Sequence, residues 1–131
     1  MSCSSKSKTW GPIPVWTNKT TTTWLFHPLS GPMDSTDINK IRASFELRQS
    51  SGALLMAPAL RMGNDGLTWD SAVQIGTDTS SNEGVTYGAA FIDMHTTTQA
   101  KVLVQFGVLC KNTTGAIVEQ AMAALKIDWS V

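Results

Sequence analysis

From Ile41 to Arg48 every second side chain is apolar. Ile41, Ala43, Phe45 and Leu47 alternate with Arg42, Ser44, Glu46 and Arg48. A helix of 3.6 residues per turn would scatter these apolar groups around its circumference, whereas a strand puts them all on one face. The same period recurs in Leu67, Trp69, Ser71, Val73 and Ile75, and in Val102, Val104, Phe106, Val108 and Cys110. A chain patterned in this way buries its apolar faces by pressing one sheet against another.

Turn chemistry divides the strands. Ser50-Ser51-Gly52 is short and turn-rich, so it is expected to send the Ile41 strand straight back as a hairpin with Ala53–Met62. That second run is almost wholly apolar and implies a deeply buried strand. Pro58 lacks a ladder donor and suggests an edge or bulge there. Gly63-Asn64-Asp65-Gly66 supplies a second tight turn. Val85–His95 gives a fifth strand with Val85, Tyr87, Ala89 and Phe91 on one face, and Lys101–Cys110 a sixth. Glu119–Leu125 contains good helix formers, yet Ala121, Ala123, Leu125, Ile127 and Trp129 fall at period two, so a closing strand is favoured.

The fold class is therefore all-β: an antiparallel β-sandwich of about seven to eight strands. Its connectivity, jelly-roll or immunoglobulin-like, stays open at this level. Residues 1–19 are expected to be a flexible or extended N-terminal arm, and 20–131 a single sandwich whose first strand, Thr20–His27, carries Trp24 and Phe26 on one face. Within the arm, the stretch from Trp10 to Trp16 holds two prolines and two tryptophans and cannot be helical. Its rings dock on another molecule or cover the domain's own core edge. The interaction candidates are Trp10, Pro12, Pro14, Trp16 and Trp24.

Composition removes several functions. Lysine plus arginine equals aspartate plus glutamate at 10 each, which argues against nucleic acid as a direct partner. No apolar run approaches the ~18 residues of a membrane span, and the N-terminus lacks the apolar middle of a signal peptide, so cytosolic synthesis is expected. Cys3 and Cys110 form no disulfide framework, and Cys110 reads as a buried thiol. No cysteine pair has zinc spacing, the loop aspartates do not match a calcium loop, and no phosphate-cradling motif is present, so neither metal nor cofactor is expected. Asp93 and His95 can share one side of a strand, but a third catalytic partner is not singled out. The chain is expected not to be an enzyme.

Two resemblances carry further expectations. Asn64-Asp65-Gly66-Leu67-Thr68-Trp69 resembles the second part of the Asp-box turn of sialidase-type propellers, with Asn64 where Asp is usual and Met62 where Ser or Thr is usual. One copy in 131 residues builds no propeller, so this segment reads as a hairpin turn beside a buried Trp69. Over the whole chain, the short strands, Thr-rich weakly charged surface and aromatic, proline-stiffened leader are similar in pattern to small β-sandwich virion proteins of tailed bacteriophages: decoration, connector or tail proteins. That resemblance implies a structural protein made in the host cytoplasm and located in the virion. It would bind a capsid or tail lattice, other virion proteins and copies of itself through its sandwich edges and arm. The alternative from the residues themselves is a carbohydrate-binding module whose exposed tryptophans stack on a glycan.

Overall fold

The computed structural model describes residues 5–14, 23–36, 38–49, 53–81, 83–86, 88, 91–93, 101–113 and 121–130. These contain ten β-strands and, among the described residues, no helix. The strands are β1 Ser5–Pro14, β2 Leu25–Pro28, β3 Met33–Asp34, β4 Lys40–Gln49, β5 Leu54–Gly63, β6 Val73–Gln74, β7 Glu83–Thr86, β8 Ile92–Asp93, β9 Leu103–Asn112 and β10 Ala121–Ser130.

Sheet A has the order β1-β10-β4-β7, with β8 also on β4; sheet B has the order β2-β9-β5-β6, with β3 also on β9. Taken as single interrupted strands, β2 with β3 and β7 with β8 reduce the count to eight. The first then pairs with the eighth, the second with the seventh, the third with the sixth and the fourth with the fifth. This is one long hairpin rolled up across two sheets, which is the jelly-roll connectivity and settles the choice left open by the sequence.

Alternation in β4 survives intact: Ile41, Ala43, Phe45 and Leu47 are buried and point at sheet B. β10 is a strand, as its period-two pattern requires, with Ala121, Ala123, Leu125 and Ile127 buried. β9 contributes Val104, Phe106, Val108 and Cys110, and β5 contributes Leu54, Met56, Leu60 and Met62. The core lies between these four long strands.

The expected hairpin between β4 and β5 is not formed. The two strands belong to opposite sheets, and the chain crosses the sandwich between them. Both strands carry strongly apolar faces, and lying opposite each other buries both at once. The crossing is held by Gln49, whose side-chain nitrogen donates to the Leu54 carbonyl at 2.8 Å while its oxygen accepts the Leu54 N–H at 2.9 Å. A buried glutamine thus supplies the pairing that a neighbouring strand would have given.

The return strand after Gly63 is also reduced. The Asp65 carboxylate accepts the N–H groups of Leu67 and Thr68 at 2.9 and 2.7 Å, which curls the chain into a loop. Leu67, expected on the core face, is consequently 87% exposed. Pairing resumes only as a single bridge at Trp69 and in the two-residue β6. Pro58 lies within β5, and its carbonyl accepts the Ile75 N–H on the β6 side. Its missing donor therefore falls on the sparsely paired side, away from β9.

Part of the expected leader is a strand. Ser5–Pro14 runs antiparallel to β10 from Ser5 opposite Ser130 to Pro14 opposite Met122. A bulge between Trp10 and Ile13 keeps both side chains on the core side. Gly11 makes the bulge possible, because its φ is 94° and a Cβ there would lie 2.5 Å from the Ala123 carbonyl. The boundary at residue 19, where arm and sandwich were expected to part, lies outside the described residues.

Candidate interaction surfaces

The five sequence candidates do not converge on one site. Trp10 is half-buried and faces inward, its ring stacked on Phe106 of sheet B with centroids 5.9 Å apart. The Lys8 ammonium sits 5.7 Å from the same ring. Trp10 thus covers the domain's own core edge, the second of the two uses open to it. Pro12, reached through a cis Gly11–Pro12 bond, and Pro14 are exposed on the outermost strand of sheet A. Together with the exposed Lys6 and Lys8 they blunt that edge against indiscriminate strand pairing. Trp16 lies outside the described residues. Trp24 is half-buried just before β2, with the Lys111 ammonium 4.8 Å from its ring.

The outer face of sheet B is filled by its own side chains. Ala57 and Ala59 are fully buried although they point away from the sandwich core. The Phe26 ring lies across Gly107, where a Cβ would come within 2.9 Å of it. The Arg61 guanidinium sits 4.9 Å from the Phe26 ring and 4.8 Å from the Trp69 ring, and its Nε donates to Gln105 at 2.8 Å. Burial pushes Arg61 below its ordinary range. Trp69 is therefore half-buried on this outer layer, not on the core face where alternation alone had placed it.

The outer face of sheet A has a different character. Arg42 donates to Asp128 at 3.1 Å, Lys126 lies 3.8 Å from Asp128, and Arg48 pairs with Glu46 at 2.8 Å. Glu46 and Glu83 hold the Arg48 guanidinium above its ordinary range. Between these charges lies a shallow recess of about 140 Å³ lined by Thr9, Ser44, Glu46, Val85, Ala124 and Lys126. Around it Val85, Phe91 and Met122 are 48%, 37% and 38% exposed. The sequence showed Arg42, Ser44, Glu46 and Arg48 as the polar side of one strand. It did not show that Met122, Ala124, Lys126 and Asp128 stand beside them, because that requires the β10–β4 register.

Asp93 lies in β8 opposite Lys40, and His95 falls outside the described residues. His27 points into the sandwich opposite Val108, its Nε2 buried without a hydrogen-bond partner among the described residues. Burial lowers its pKa. Burial pushes the Cys110 thiol up to about 12, so it stays protonated. Among the described residues no group of three His, Cys, Asp or Glu side chains could hold a metal ion, and no helix is long and apolar enough to cross a membrane.

No protein-family model and no curated protein matches the sequence. Solved structures do match the fold. A chain of infectious bursal disease virus, Gx strain, aligns over 97% of this chain with a TM-score of 0.60 and 10% identity. A chain of the Gt strain aligns over 100% with a TM-score of 0.49 and 13% identity. A D431N mutant VP2 protein of the same virus, in derived T=1 particles, aligns over 95% with a TM-score of 0.46 and 9% identity. The chain spans about a third of the length of these proteins: 32%, 30% and 31% respectively. At 10% identity, the likeness to the Gx-strain chain establishes a shared β-sandwich fold alone.

Proposed function

We propose that this chain is a non-enzymatic structural protein of a virus particle, binding copies of itself and neighbouring virion proteins through its sandwich surfaces. The observation that carries the reading is the fold likeness, over 97% of the chain, to a chain from the structure of infectious bursal disease virus, Gx strain. The surface chemistry points the same way. The recess on sheet A is shallow, and the outer face of that sheet combines exposed apolar side chains with balanced charge. Placement in a tailed bacteriophage, as a decoration, connector or tail protein, belongs to this proposal and rests on the sequence pattern; the fold likeness is indifferent to the host. Participation of the N-terminal segment is likewise proposed, with Pro12 and Pro14 on the free edge as its contact points.

Among the described candidate rings, Trp10 and Trp24, a glycan-binding role draws no support from the geometry. Phe106 and Lys8 already cover Trp10, and Lys111 covers Trp24. The test is mass spectrometry of purified particles together with sedimentation of the full chain over a concentration series. Recovery of the chain in particles and concentration-dependent growth in mass are expected. Its absence from particles, with a monomer at every concentration, would refute the reading.

A further inference from the structure

Strand register fixes the outer face of sheet A row by row. Across the two central strands, Asp128 stands beside Arg42, Lys126 beside Ser44, Ala124 beside Glu46, and Met122 beside Arg48. Thr9 extends the second row onto β1, and Val85 and Glu83 extend the last two onto β7. Arg42, Arg48 and Lys126 balance Glu46, Glu83 and Asp128, so the face carries no net repulsion against itself. We propose that this face is a self-complementary contact, packed on the same face of a second copy about a twofold axis running along the strands between β10 and β4. This rests on the self-assembly reading above and names its surface.

A twofold contact is isologous, so each row meets itself with the two columns exchanged. That operation sets Asp128 of one copy against Arg42 of the other, and Arg42 against Asp128, closing a ring of alternating charge. It sets Lys126 one row, or ~7 Å, from the second copy's Glu46, within reach of a lysine side chain. Ser44 and Ala124 keep the middle low, so the charged rows can approach. The apolar groups beside the recess, Met122 and Val85, are those a second copy would cover, while the Phe91 ring already lies under the Arg42 guanidinium at 4.6 Å.

The size suffices. Four strand widths at about 4.8 Å and ten residues at about 3.3 Å give roughly 600 Å² of flat area, near the ~800 Å² per partner of a standard interface. Sheet B offers no equal surface, since Phe26, Trp69 and Trp24 already lie over its outer side beneath Arg61 and Lys111.

The experiment is analytical ultracentrifugation of the full chain, with Lys126→Glu and Glu46→Lys measured separately and as an equimolar mixture. Each variant alone meets a like charge across the axis and should dimerise at least tenfold more weakly. In the mixed dimer one pair is charge-swapped and the other is native, so both are attractive, and the affinity should return to within a few-fold of the wild type. Met122→Lys, which faces the second copy's Arg48, should weaken association without touching the swapped pair. Far-UV circular dichroism checks that each variant keeps its fold. Variants that associate like the wild type would place the contact elsewhere and leave the self-assembly reading standing. Weakened variants with no recovery in the mixture would overturn the twofold placement. A wild-type chain that never associates would overturn both.

Discussion

Trp10→Ala tests whether the N-terminal strand is part of the folded unit or a leader resting on it. Truncating a fully buried Trp or Phe costs about 3–5 kcal/mol. Trp10 is half-buried, so roughly half of that range applies, or ~2 kcal/mol. Stacking on Phe106 accounts for about 0.5–1.5 kcal/mol of this beyond the area lost. With a urea slope of about 1.5 kcal/mol/M, the unfolding midpoint should fall by ~1.3 M. The assay is urea unfolding followed by far-UV circular dichroism on Trp10→Ala, Phe106→Leu and the double variant. If the rings stack across the two sheets, the double-variant cycle should show coupling of about 0.5–1.5 kcal/mol. A midpoint shift below ~0.3 M, with additive effects of the two changes, would refute the argument and return residues 5–14 to the status of a detachable arm.

Gly107→Ala places a methyl group 2.2 Å from the His27 carbonyl and 2.9 Å from the Phe26 ring. Since backbone cannot yield cheaply, the melting temperature should fall by about 10 °C in a calorimetric scan. His27 is buried and its pKa is lowered, so the folded state binds its proton less readily than the unfolded chain, where the pKa is near 6.5. Stability should be fully present above that value and be lost as pH falls toward the folded pKa, at no more than about 1.4 kcal/mol per pH unit. His27→Leu should flatten urea midpoints between pH 7 and 5. An unchanged slope would mean another group titrates there. Asp34 and Asp65 act in a separate window, because hydrogen bonds hold both below the ordinary carboxylate range and their contribution is lost only as pH falls below about 4. Cys110 should resist a thiol reagent in a Cys3→Ser background until the protein is unfolded, since its pKa of about 12 leaves almost no thiolate at neutral pH.

Fold class was legible because alternation is a local signal. Ile41–Leu47 and Val104–Cys110 point where period two says they must, and Ala121–Ile127 overrides its helix-forming residues because four buried apolar contacts outweigh weak propensity. The signal ran out where local chemistry left the outcome to the rest of the fold. Ser50-Ser51-Gly52 lies between strands that a hairpin and a crossing both permit, and Gln49's hydrogen bonds to Leu54, which only the folded structure reveals, hold the crossing. Leu67 fits the alternation, but two hydrogen bonds to Asp65 pull it into solvent. Trp10 shows the same ambiguity: an aromatic group beside prolines looks equally like an anchor for another molecule and a plug for its own core. Phe106, 96 residues further along, decides for the plug.

Rolling the hairpin also explains why the candidate site is a face and not a cleft. Each long strand spends one side on the core, so function is left to the other side, the edges and the loops. On sheet B that other side is occupied by rings and cations of the same chain. On the β1 edge, lysines and prolines discourage pairing. Sheet A's outer face keeps its charges in complementary columns because β10 and β4 lie next to each other with Arg42 opposite Asp128. Arg42 and Asp128 are 86 residues apart in the chain, so neither strand alone displays the complementarity. The closure of the roll creates it by setting the last strand beside the middle one. A change that preserved both strand patterns but slipped this register by two residues would keep the core and lose the contact, so the proposed interface depends on topology more than on any single side chain.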